Sequence, residues 1–248
     1  LEDGDLVYAS YSQGFKSGGF NARYLVPVPA AIPFEPETLD TFEIGYKWRS
    51  ENNRIQANVA AYMSEYEDIQ LVIYNNGAPI TQNSGAADIN GIELEFIALA
   101  TDQLRLTLSG SYIDAEYTRV APLDPSLVAS QQVTLDSKLP NTPETTLAAA
   151  LDYAISLESG DINFHADWRY MSSIENDAIN SPFLREASTN VFNASIIYTI
   201  DDWTFTVFGD NIGDERFIVS GDSNYGVGFH EANFNRPREW GVSVKYTF

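Results

Sequence analysis

The chain has 248 residues, 44% hydrophobic and 13% aromatic, with no cysteine and a formal charge of −21 from 14 Lys and Arg against 35 Asp and Glu. That length and aromatic content exclude a mini-protein or a disordered tail, and the missing cysteines exclude a disulfide framework and thiolate metal sites. The acidity, with no basic run, argues against a nucleic-acid partner, and no stretch reaches the roughly 18 uninterrupted apolar residues of a spanning helix.

Period-two alternation marks about ten strand segments. They cover residues 5–15, 38–49, 54–74, 81–100, 103–119, 143–157, 161–175, 187–200, 203–212 and 236–248. Successive side chains of a strand point to opposite faces, so each segment divides into an apolar and a polar set. In the second, Phe42, Ile44, Tyr46 and Trp48 oppose Glu43, Gly45, Lys47 and Arg49. In the third, Ile55, Ala57, Val59 and Ala61 oppose Gln56, Asn58 and Tyr62; in the fourth, Ile92, Leu94 and Phe96 oppose Glu93 and Glu95. The fifth sets Leu104, Leu106 and Leu108 against Arg105, Thr107 and Ser109, and the seventh sets Ile162, Phe164, Ala166, Trp168 and Tyr170 against Asn163, His165, Asp167 and Arg169. The last carries Trp240, Val242, Val244, Tyr246 and the terminal Phe248 on one face.

The connections alternate. Tight polar links at 50–53, 101–102, 158–160 and 201–202 separate long ones at 16–37, 75–80, 120–142, 176–186 and 213–235. An antiparallel meander crossing a bilayer shows this asymmetry, with brief turns inside and long loops outside. The expected fold is therefore all-β, an up-and-down transmembrane β-barrel in which consecutive strands pair and Phe248 sits at the periplasmic end. Phe42, Ile44, Leu104, Leu106, Leu108, Val242, Val244 and Tyr246 are expected to face lipid, with Glu93, Glu95, Lys47, Arg105 and Lys245 sheltered inside. A basic side chain at the bilayer midplane costs about 2–4 kcal/mol, which forces the polar set inward. Trp48, Trp168, Trp203 and Trp240 read as membrane-interface anchors.

Candidate chemistry is sparse. His165 and His230 stand far apart with no carboxylate at metal-ligand spacing, so no metal site or cofactor is expected. Glu93 and Glu95 imitate an acid pair, but structural hydrogen bonding to neighbouring strands is the favoured reading. No serine sits in a GxSxG elbow, and the chain is read as a non-enzyme. Recognition is expected in the outer loops, at Phe20, Arg23, Tyr225, Phe229 and Arg236.

Seven short stretches, in order along the chain, resemble the barrel of TonB-dependent outer-membrane receptors. They are YASYSQGFKSGGFN from Tyr8 to Asn21, Pro36–Glu37 followed by FEIGYK from Phe42, and YEDIQ from Tyr66. The others are INGIELE from Ile89, LPNTPE from Leu139, DNIGD from Asp210, and Arg236–Pro237–Arg238 with the closing aromatic. The family's complete barrel has about 22 strands around a plug. The resemblance implies that residues 1–248 are one domain, the carboxyl-terminal portion of such a barrel, with the plug and the earlier strands outside this chain. The start at Leu1, without an initiator Met or export signal, fits that expectation. It further implies a receptor in the Gram-negative outer membrane for energy-coupled uptake of a scarce solute, most readily a ferric siderophore or other iron complex. Cobalamin, haem or oligosaccharide are alternative solutes, and a passive porin is the alternative class. The implied partners are TonB through the absent amino-terminal segment, outer-membrane lipid and lipopolysaccharide, and the barrel assembly machinery through Phe248.

Overall fold

The computed structural model describes residues 5–21, 31–75, 78–121, 132–224 and 228–248, none of them helical. One antiparallel sheet of ten strands carries the molecule. Its members, in spatial and sequence order, are β1 (Leu6–Lys16), β4 (Glu37–Arg49), β5 (Ile55–Glu67), β8 (Gly85–Leu99), β9 (Leu104–Val120), β10 (Thr145–Leu157), β11 (Gly160–Met171), β14 (Thr189–Ile200), β15 (Trp203–Asp210) and β18 (Glu239–Tyr246). Among the described residues β1 and β18 each have a single neighbour, so the sheet is open.

The intervening labels belong to short ladders inside the long connections. These are β2 (Gly19–Phe20) with β3 (Pro33–Phe34), β6 (Gln70–Asn75) with β7 (Ala78–Asn83), β12 (Ile174–Glu175) with β13 (Arg185–Glu186), and β16 (Ile218–Asn224) with β17 (Phe229–Phe234). Every short link of the sheet lies at one end and every decorated long link at the other, as alternation of link length requires of a meander.

The register aligns the apolar sets from strand to strand. Val7, Tyr46, Val59, Leu94, Gly110 and Leu147 form one cross-sheet row, and Lys47, Asn58, Glu95, Ser109, Ala148 and Arg169 form another on the opposite face. The apolar face has no cover: Val242 is 73% exposed and Val244 55%, while Leu94 and Ile44 are about half exposed. A contiguous exposed apolar face of this kind marks a surface that meets a membrane or another protein. The polar face departs from expectation in one respect. Glu93, Glu95, Lys47, Arg105 and Lys245 lie on it but remain exposed, because an open sheet gives that face no opposite wall.

Aromatic rings lie across glycines on the polar face. A Cβ at Gly45 would stand 2.4 Å from the Tyr8 ring, and one at Gly91 the same distance from Tyr62. Lys47 Nζ sits 5.6 Å from the centre of the Tyr8 ring. Ring-over-glycine pairing fills the space an absent side chain leaves and pins the register.

Three segments read as long strands are each divided, one of them, 161–175, into β11 and the separate β12. Residues 54–74 and 81–100 resolve into β5 and β8 plus the separate β6–β7 hairpin, so the connection spans 68–84 rather than 75–80. Asp68 makes the break with a φ of 53°, a left-handed conformation that Asp and Asn tolerate better than other side chains.

Candidate functional site

The buried apolar core lies at the end with long loops, away from the body of the sheet. Ile69 and Leu71 of the β5–β8 connection, Ala87, Tyr117, Val133 and Leu139 of the β9–β10 connection, and Ala178 of the β11–β14 connection form one cluster. Three loops are thus held by a common packed centre on the polar face of β8 and β9, the face of Ala87 and Tyr117.

Side-chain amides tie a fourth loop to this layer. Asn21 is buried, donates from Nδ2 to the Thr81 carbonyl at 2.8 Å and accepts from the Thr81 amide at 2.8 Å. Gln70 Nε2 donates to the carbonyls of Ser17 at 3.1 Å and Glu35 at 3.0 Å, and its amide donates to Glu37 Oε2 at 2.6 Å. Asn83 Nδ2 donates to the Glu35 and Asp68 carbonyls at 2.9 and 2.7 Å, while its Oδ1 accepts from the Glu35 amide at 2.7 Å. Backbone groups of irregular loops need partners, and these amides supply both a donor and an acceptor.

The remaining long connection is organised by Asn211. Its Nδ2 donates to the carbonyls of Glu215 at 2.8 Å and Arg236 at 3.1 Å, and its Oδ1 accepts from the Glu215 amide at 2.9 Å. Asp214 Oδ1 accepts from the Arg238 amide at 2.9 Å, so the DNIGD and RPR stretches close one turn on each other. Between upper β9 and residues 135–144 lies a cleft of about 510 Å³, lined in part by Tyr112, Asp114, Glu116, Lys138 and Glu144.

Of the loop residues singled out for recognition, Phe20 is 69% exposed on β2 and Phe229 is 49% exposed on β17. The Arg236 side chain is also exposed, with Nη1 3.9 Å from Glu239 Oε2. Arg23 and Tyr225 lie outside the described residues. Phe20 stands in the β1–β4 connection, whereas Phe229 and Arg236 share the β15–β18 connection at the same end. Trp48 and Trp203 lie beside short turns, the latter packed against Tyr246 at 4.8 Å, and Trp168 and Trp240 lie toward the loop end. Trp168 Nε1 donates to Asn190 Oδ1 at 3.0 Å. Phe248 packs edge-on against Tyr246 at 5.0 Å.

His165 corrects the sequence reading. Its Nδ1 lies 2.7 Å from Asp152 Oδ1 and its Nε2 3.4 Å from Asp167 Oδ2, so two carboxylates flank it. Asp152 is its cross-strand partner, a proximity that only the β10–β11 register creates. Among the described residues no three His, Cys, Asp or Glu side chains gather as a metal-binding group. No helix of the described residues is long and apolar enough to cross a membrane.

The TonB dependent receptor-like, beta-barrel family matches residues 1–212. The chain belongs to that family. Its relatives include the pesticin receptor of Yersinia enterocolitica, 30% identical over 125 residues, which cover 50% of this chain and 18% of that protein. The pesticin receptor of Yersinia pestis is 22% identical over 251 residues, covering 100% of this chain and 34% of the relative. Among solved structures, the ferric yersiniabactin uptake receptor FyuA from Yersinia pestis superposes with a TM-score of 0.81 at 21% identity, covering 100% of this chain and 36% of FyuA. The siderophore receptor PiuA from Acinetobacter baumannii gives 0.72 at 19% identity, covering 98% of this chain and 33% of PiuA. The chain thus spans about a third or less of the length of these relatives. Membership in this TonB-dependent family accounts for the uncovered apolar face and the packed loops at one end.

Proposed function

We propose that this chain forms part of an outer-membrane receptor that binds a ferric siderophore or another iron complex outside the cell and admits it to the periplasm with energy delivered by TonB. The observation that carries the reading is the ten-stranded sheet, apolar on one face and capped by packed loops at one end, in a chain of the TonB-dependent family. Relatives named as ferric yersiniabactin and siderophore receptors support iron complexes as the solute class. A siderophore brings its own iron ligands, so recognition falls to shape, aromatic surface and charge. Phe20, Phe229 and Arg236 supply such groups, together with Arg23 and Tyr225. In this reading the four tryptophans anchor the wall at the lipid interfaces, lipopolysaccharide surrounds it, and Phe248 is offered to the barrel assembly machinery.

The test is uptake of radiolabelled iron on a panel of siderophores by cells carrying the full-length receptor, with and without TonB. Uptake is expected on at least one siderophore and is expected to vanish without TonB. A Phe20→Ala, Phe229→Ala double variant is expected to bind that complex about tenfold more weakly while still assembling, as loss of aromatic anchors does elsewhere. TonB-independent uptake of small solutes would instead identify a diffusion channel.

A further inference from the structure

Three oxygen atoms of consecutive residues are sealed inside the β11–β14 connection with nothing bonded to them. Glu175 is 4% exposed and Asn176 8%. Glu175 Oε1 accepts from Arg185 Nε at 2.6 Å, but its Oε2 has neither solvent nor a hydrogen-bond partner. Asn176 Nδ2 donates to the Leu184 carbonyl at 2.8 Å, leaving Oδ1 in the same condition. Asp177 Oδ1 accepts from the Ser181 amide at 2.7 Å, leaving Oδ2 likewise unpaired. Buried oxygens are ordinarily bonded, and a buried carboxylate oxygen without a partner opposes folding strongly.

The loop cannot easily turn these atoms outward. Its ends are joined by the β12–β13 ladder, in which Glu175 faces Arg185. Asn141 donates its amide to the Glu175 carbonyl at 2.8 Å from the neighbouring connection. Asn180, at a φ of 52°, accepts from the Lys138 amide at 2.6 Å and donates to its carbonyl at 2.9 Å. Leu184, 1% exposed, sits against Gly221 of the β16–β17 hairpin.

We propose that the loop spanning 175–185 binds a calcium ion through Glu175 Oε2, Asn176 Oδ1 and Asp177 Oδ2. All three donors are hard oxygens. Calcium accepts carboxylate and amide oxygens in flexible geometry, whereas magnesium demands near-octahedral order and keeps its water. Two carboxylates against the single Arg185 guanidinium leave net negative charge in the loop, which a divalent cation neutralises and a water molecule does not. The donor set is two acids and an amide, outside the class of three-acid and histidine clusters, and it departs from the expectation of no metal drawn from the histidines. A bound ion would order the connections around 138, 180 and 221 together, whatever solute the receptor carries.

Full-length receptor in detergent, stripped with chelator, is dialysed against calcium-45 beside Glu175→Gln and Asp177→Asn variants. Lipopolysaccharide gives all three the same background. The wild type is expected to bind one additional calcium per chain with a dissociation constant of about 10⁻⁴–10⁻³ M, the range of extracellular calcium modules, and each variant to lose it. Heat-modifiable mobility reports folding, and amide exchange of residues 174–186 in the wild type, with and without calcium, decides the matter if a variant misfolds. Calcium is expected to slow that exchange. Equal calcium uptake by all three proteins overturns the site, as does exchange indifferent to calcium; slowing by magnesium at the same concentration overturns the assignment to calcium.

Discussion

Adding one methyl group at Gly91 would place a carbon 2.4 Å from the Tyr62 ring, so that ring would have to leave its cross-strand seat. Overpacking of this kind costs about 1–3 kcal/mol. Gly91→Ala is therefore expected to lower the urea midpoint of the folded receptor, whereas Gly14→Ala, with open space around its Cβ, is expected to leave it unchanged. Equal midpoints for both variants would remove the ring seat as a structural device. The sequence shows the glycine of the INGIELE stretch but not its reason, because the reason sits on another strand. Asn58 likewise reaches Glu95 across the sheet, Nδ2 donating to Oε2 at 3.0 Å, which makes at least one acid of the apparent pair a wall hydrogen-bond acceptor. His165 teaches the same point: Asp167 is visible two residues away, but Asp152 becomes its neighbour only once the register is known.

At the scale of elements, the loops owe their order to few side chains. Gln70 alone contributes two amide hydrogen bonds to the 17–36 connection, each worth about 0.5–1.5 kcal/mol net. Gln70→Ala is expected to accelerate amide exchange in residues 68–84 and 31–36 while β10 and β11 exchange as before. Uniform exchange across the chain would show that the apolar cluster around Ile69 and Leu71 suffices without the amide ties. The ten sheet strands are legible from alternation because each has one apolar face. The β6–β7 hairpin is not, since the apolar run Leu71–Tyr74 reads as a prolongation of β5 and only the left-handed turn at Asp68 separates them. Loop recognition residues are harder still. Phe20 and Phe229 are exposed, but exposure of an aromatic ring does not say which solute it meets.

For the whole molecule, the deciding property is which face of the wall meets lipid. Leu108 and Ser109 are consecutive on β9, share one depth, and point to opposite faces; Leu108 lies between Phe96 and Ala149, and Ser109 between Glu95 and Ala148. In water the two positions would tolerate arginine about equally, since both are exposed. In a bilayer they would not, because a basic side chain on the lipid face costs about 2–4 kcal/mol near the midplane while the polar face stays wet. Refolding of the full-length receptor into lipid vesicles across a urea series, scored by heat-modifiable mobility, separates the cases. Leu108→Arg is expected to shift the folding equilibrium by about that cost, and Ser109→Arg to shift it little. Equal penalties, or a larger one for Ser109→Arg, would mean that the apolar face of this sheet packs against protein rather than lipid.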